Sequence, residues 1–220
     1  GGTRGIGKQI VNDLFTLGAN VITTGTNKDE ILMLNKQVEK ETNKIRYFYL
    51  DILKEDSVKK FLDEIVEIKN IDCLVNNAGI NKLNSIHHSN LKDWDEMINV
   101  NLSFPYRLLR IISSNMVKRK YGRIVNISSI FGKISKEKRA IYSATKFGLH
   151  GLTVGSSNDL AKYNVLVNTV SPGFVMTDLT KKNLNEKEIE NIAHQIPAKR
   201  FADTRDISSV VLFILSNQNT

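Results

Sequence analysis

Ser129, Tyr142 and Lys146 stand within one stretch, SIFGKISKEKRAIYSATK at 129–146, and their types and spacing fit proton transfer to an oxygen atom. Residues four apart on a helix share a face, so Tyr142 and Lys146 project side by side if YSATK is helical. A free phenol ionises near pH 10, and acid–base work near neutrality asks for a shift of about 3 units, roughly 4 kcal/mol of differential stabilisation. A cationic Lys146 would supply much of it. Taken alone, Tyr-x-x-x-Lys also fits a half-buried aromatic beside a solvated lysine. Its company argues otherwise: Ser129 directly follows the strand-like GRIVNIS, Asn101 lies in INVNL, NNAG occupies 76–79, and a glycine-rich loop opens the chain.

With these motifs in this order over nearly all 220 residues, the chain resembles the single-domain short-chain dehydrogenases/reductases, most of all the 3-oxoacyl-[acyl-carrier-protein] reductases. The resemblance implies a single-domain Rossmann-type doubly wound parallel α/β sheet, in strand order 3-2-1-4-5-6-7. It implies hydride transfer from NADPH to a carbonyl, with Tyr142 giving the proton and Ser129 hydrogen-bonding the same oxygen. Lys146 would lower the tyrosine pKa and hold the nicotinamide ribose. Asn101 becomes the fourth catalytic residue, holding a water that reaches Lys146; read from the residues alone, it also fits a helix-bending or interhelix asparagine. The cofactor would run along Gly1, Thr3, Arg4, Gly5, Ile6 and Gly7, then Thr26, Asp51 and Ile52. It would continue past Asn76, Ala78 and Gly79 to Tyr142 and Lys146, and then to Pro172, Gly173, Val175 and Thr177.

The elements that must position these groups follow from periodicity. GGTRGIG leads directly into KQIVNDLFTLG, where Ile10, Val11, Leu14, Phe15 and Leu17 form an apolar stripe that Gly18 stops. Such a loop serves as a helix-entry turn, or, with its free N–H groups and helix dipole, as a pyrophosphate cradle. A strand is expected at 19–25, then a helix capped by Asn27 and running to about Thr42. After that strand come Gly25, Thr26, Asn27 and Lys28, with no acid to hold a free ribose; with Arg4 nearby, this favours a 2′-phosphate and hence NADPH. Further strands are expected near 45–52, 71–75, 122–128 and 165–170, and helices at 56–69, 91–116, 140–161 and from 204 onward. Gly155 and Ser156 should weaken the 140–161 helix locally. The charged 178–201 stretch suits a substrate lid or a surface helix pair.

At 41% hydrophobic and 25% charged, the chain fits one domain, 1–220, with no apolar run of membrane-spanning length. In a parallel fold the glycine loop should follow a buried strand, so the first strand is expected ahead of Gly1, and a last strand with its tail beyond Thr220. The single cysteine, Cys73, reads as a core thiol, and with no signal segment a cytoplasmic setting is expected. The net charge of +8 is scattered among acids, arguing against a nucleic-acid partner while favouring polyanionic ligands. His87 and His88 lack companions at ligand spacing, so no metal is expected.

Resemblance makes a 3-oxoacyl thioester the leading substrate. Lys118, Arg119 and Lys120 could receive an acidic acyl carrier protein, although Tyr163 and Asn164 stand where related reductases often place a base. The alternatives are a sugar or polyol oxidoreductase and, more remotely, a non-catalytic nucleotide-sensing relative. Leu108, Ile111 and Ile112 on one helix and Phe147, Leu149 and Leu152 on another put apolar residues on more than one side, and related enzymes pair these helices into homotetramers.

Overall fold

The computed structural model describes residues 1–41 and 44–220, and in it helices flank two parallel sheets. In the first sheet β1 (Val21–Gly25) pairs with β2 (Ile45–Tyr49); in the second, β3 (Cys73–Asn76), β4 (Gly122–Ile127) and β5 (Val165–Val170) lie in that order. All three pairings are parallel, so helical crossovers must cover the sheet faces. β4 is buried along its whole length, as a strand paired on both sides and covered on both faces must be. A cleft of about 810 Å³ separates β1 from β3, lined by Thr23 on one side and Leu74 and Val75 on the other.

One face of the second sheet carries α1 (Gly5–Thr16) and α9 (Thr204–Leu215), where Ile10, Ile207 and Val211 close over Val125, Ile127 and Val170. The opposite face carries α3 (Glu55–Val66) and α5 (Phe104–Arg119), with Phe61, Ile65, Leu108 and Ile112 on Phe48, Ile124 and Val167. Fully buried Met116 and Ile124 anchor this larger cluster, where truncation to alanine costs roughly 2–5 kcal/mol per site. α6 (Ala140–Leu160) runs unbroken through Gly155 and Ser156.

The Asn27 cap is in place: its Oδ1 accepts from the N–H groups of Asp29 and Glu30, opening α2 (Lys28–Glu41). The expected end of that helix at Thr42 lies outside the described residues. The stretch expected as one helix over 91–116 is three pieces in line. α4 (Leu91–Ile98) passes through a π turn, Asn99–Ser103, into α5. The 178–201 stretch forms α7 (Asp178–Asn183) and α8 (Glu186–Gln195), the second opened by an Asn185–Glu188 capping box. No described helix is long and apolar enough to cross a membrane.

Candidate active site

The strands deliver their loops to one end of the sheets, and the side chains singled out in the sequence meet there. β4 hands over to Ser129 directly, because Ser128 N–H continues the ladder to the Val170 carbonyl at 2.7 Å. Ser129, buried and extended, starts a one-turn 3₁₀ helix by accepting the Phe131 N–H at 3.2 Å. Tyr142 sits in the first turn of α6 and Lys146 one turn later. Lys146 is only 4% exposed, its Nζ donates to the Ile127 carbonyl at 2.9 Å, and it lies 5.7 Å from the centre of the Tyr142 ring. Burial alone brings its pKa down to about 8.

Burial pushes the Tyr142 phenol above its usual range, while the Ser129 hydroxyl and the Arg139 charge pull it back. The Lys146 ammonium faces the Ile127 carbonyl, and the groups that hold the phenol down here are the Ser129 hydroxyl and the Arg139 charge. Arg139 was not singled out in the sequence. Its one local signal is its place three residues ahead of Tyr142, which alone cannot show that loop 133–139 folds back over Phe131.

Asn101 explains the π turn. Its side chain is fully buried and spans two elements: Oδ1 accepts the Ile80 N–H at 2.9 Å, while Nδ2 donates to the Ile80 carbonyl at 2.9 Å and to Thr145 Oγ1 at 3.1 Å. Thr145 passes the link on by donating to the Tyr142 carbonyl at 2.7 Å. The extra residue in the turn thus aims an amide that locks the loop after β3 onto the turn of α6 holding Tyr142 and Lys146. A Cβ on Gly79 would stand 3.4 Å from Asn101 Oδ1 and 3.6 Å from Lys146 Nζ, so Gly79 borders both groups.

The glycine loop lies against the same end. Gly5 has φ +54°, which an L side chain rarely adopts, and a Cβ on Gly7 would fall 2.0 Å from the Gly1 carbonyl oxygen. Asn77, also unflagged, donates to that carbonyl at 2.9 Å, and Gly1 packs on Ala78. Thr3 covers Gly25, while Arg4 and Thr26 are exposed close to the strand exit. Ile6 packs against the sheet cluster beside Ile10. Thr177 caps α7 and brings its methyl within 3.5 Å of a Cβ position on Gly5, joining the segment after β5 to the glycine loop. Before it, the Pro172 carbonyl accepts the Ile130 N–H at 2.9 Å, Gly173 sits beside Ile130, and the Val175 carbonyl accepts from Thr180 Oγ1.

Two further residues have partners within the chain. Asn76 donates from its buried side chain to Asn126 Oδ1 at 2.8 Å, so that amide is engaged between β3 and β4. Asp51 accepts the Leu53 N–H and pairs with Lys54 at 3.4 Å at the exit of β2, with Ile52 packed against the larger core cluster.

α1 starts without a side-chain cap, its first-turn amides have no partner within the helix, and the glycines leave room for a ligand backbone to approach. That is a fit for a dinucleotide pyrophosphate. The profile of the family described as short chain dehydrogenase matches residues 1–188. The chain belongs to that family. It is 38% identical over 218 residues to a 3-oxoacyl-[acyl-carrier-protein] reductase of Aquifex aeolicus, covering 98% of this chain and 88% of the relative. The corresponding reductase of Thermotoga maritima is 34% identical, over 100% and 89%. Among solved structures, ElxO with NADP bound superposes with TM-score 0.90 at 28% identity, covering 100% and 90%. A gluconate 5-dehydrogenase of Burkholderia cenocepacia, in complex with NADP and tartrate, gives 0.87 at 26%, over 97% and 85%. This short-chain dehydrogenase is therefore an NAD(P)-dependent oxidoreductase that interconverts a carbonyl and an alcohol.

Proposed function

We propose that the protein reduces the 3-oxo group of an acyl thioester to a hydroxyl with NADPH. The observation that carries this is that Ser129, Tyr142, Lys146 and the Asn101-held loop meet at one end of the sheet, in a chain whose relatives over nearly their whole length are 3-oxoacyl-[acyl-carrier-protein] reductases. NADPH, when bound, would supply the hydride for the carbonyl carbon. Tyr142 donates a proton to the alkoxide that forms, and the Ser129 hydroxyl fixes that oxygen. Lys146 binds the nicotinamide ribose and keeps a positive charge beside the tyrosine. Asn101 holds the Ile80 loop against α6 and, with a water, returns the proton to Lys146.

The glycine loop with Gly1, Thr3, Arg4, Gly5, Ile6 and Gly7 takes the pyrophosphate side of NADPH, and Asn76, Ala78 and Gly79 border the ribose. Asp51 and Ile52 meet the adenine; Pro172, Gly173, Val175 and Thr177 meet the nicotinamide end. Arg4 and Thr26 select the 2′-phosphate, and both solved neighbours named above contain NADP.

A carrier-borne acyl chain would bring a strongly acidic partner. Lys118 and Lys120 are exposed to meet it, whereas Arg119 is held by Asp72, the Ile71 carbonyl and Asn115. The gluconate 5-dehydrogenase likeness favours a second reading, oxidation of a sugar acid or polyol. A cytoplasmic homotetramer completes the proposal. The test is a turnover panel with acetoacetyl thioesters, free and carrier-bound, against gluconate and polyols, each with NADPH or NADH. Activity confined to the sugar set would overturn the thioester reading.

A further inference from the structure

Among the described residues, the charged groups around Tyr142 are two. Lys146, on the same helix, is committed to the Ile127 carbonyl. Arg139 stands at the position before α6, half-buried, with its guanidinium carbon 4.4 Å over the Phe131 ring. Phe131 in turn meets the Tyr142 ring edge-on at 6.5 Å. The elements packed against Tyr142 add only the Ser129 hydroxyl from the β4 exit and the neutral Asn101–Thr145 pair from the π turn and α6. Arg139 forms no ion pair with a described residue, although Glu137 is two positions away. A guanidinium resting on an aromatic face is held by cation–π attraction and keeps its N–H edges directed outward. Loop 133–139 is further fixed at its start by the 2.8 Å contact between the Ser135 and Ser143 hydroxyls.

We propose that Arg139, seated on Phe131, is a positioning residue of the proton-donating centre, its fixed positive charge favouring the phenolate that Tyr142 becomes when it gives up its proton. The sequence pattern gives that task to Lys146 alone; here Arg139 shares it. Nothing in this needs the substrate to be a thioester, but it rests on Tyr142 as the donor. The direction agrees with the charge relation between the two groups, in which Arg139 lowers and burial raises the phenol.

The experiment uses the full chain labelled with ring-¹³C tyrosine, with the Tyr142 signal assigned from Y142F. Arg139→Gln should move the Tyr142 titration up by roughly one pH unit, and Arg139→Lys should hold most of the original value. Phe131→Leu should move it part of the way, because the guanidinium loses its seat. In alcohol oxidation, which needs the phenolate, Arg139→Gln should be about tenfold slower below the titration and recover at higher pH. An unmoved Tyr142 signal in Arg139→Gln overturns the proposal. So does a uniform rate loss at every pH, which is the mark of a structural role. A changed KM confined to anionic substrates, with the titration intact, overturns it too and makes Arg139 a substrate contact. Full activity of Y142F would instead remove the donor reading, and the titration would still report on Arg139.

Discussion

Lys146 concentrates the conflict between stability and function in one side chain. Its pKa in the folded chain is about 8 against an ordinary 10.5, so folding disfavours its charged form. Below pH 8 both folded and unfolded chains hold the proton, and the full cost of about 3 kcal/mol is present. Between about pH 8 and 10.5 the unfolded chain binds more protons, so stability rises with pH across that window. Lys146→Met cannot titrate. Urea unfolding of both proteins at pH 7 and pH 10 should show the difference moving in favour of the wild type at pH 10, by roughly 2 kcal/mol; a pH-independent difference would refute the burial cost. The proposed cofactor choice also turns on single residues. In the proposed cofactor path the exposed Arg4 and Thr26 distinguish a 2′-phosphate from a free ribose. Arg4→Ala with Thr26→Asp removes an attraction and adds a repulsion; at about 1.4 kcal/mol each, the preference between NADPH and NADH should swing roughly a hundredfold. Equal dissociation constants for both cofactors in the wild type would contradict the assignment. These residues were legible because their chemistry depends on type and spacing. Arg139 was not, because its role depends on Phe131 lying beneath it, a contact between segments.

At the scale of elements, the π turn shows what periodicity hides. Met97, Val100, Phe104 and Leu108 keep a continuous buried stripe, so the sequence reads as one long helix. The inserted residue shows only in the hydrogen bonds that Asn101 makes sideways to Ile80 and Thr145. Asn101→Ala leaves the Ile80 N–H and carbonyl without their partner, and orphaned backbone groups cost about 1–3 kcal/mol each. We expect a loss of roughly 2–4 kcal/mol in denaturant unfolding, together with a fall in kcat larger than any change in cofactor affinity, since Tyr142 and Lys146 share the released turn. Loss of stability with unchanged kcat would reduce Asn101 to a structural tie. Asn76 carries the complementary lesson. The register Asn76↔Asn126 puts two amides opposite each other across the β3–β4 ladder, and neither strand alone reveals that pairing.

Across the whole molecule, alternating helices and strands gave away the doubly wound plan, but apolar residues do not say whether they face the sheet or the outside. Of the apolar residues expected on more than one side of these helices, Leu108, Ile112 and Leu149 are buried within the chain, and Ile111 and Leu152 are half-buried. The outward face is a different set. Phe147 and Val154 are 46% and 48% exposed on α6, and Gly151 and Gly155 beside them have open space where a Cβ would be. These four recur at helical spacing on one face, and glycines there let another helix approach closely. Tyr106 on α5 and Trp94 on α4 are also exposed. We therefore expect a tetramer assembled in part through α6 against its two-fold copy, in the isologous manner of closed symmetric oligomers. Phe147→Glu with Val154→Glu places four like charges across that axis and removes apolar contact, while leaving the inward Leu149 untouched. Light scattering should show a tetramer for the wild type and a dimer or monomer for the double variant, with circular dichroism unchanged. A monomeric wild type, or a double variant that keeps the tetrameric mass, would show that the face of α6 does not hold the assembly together.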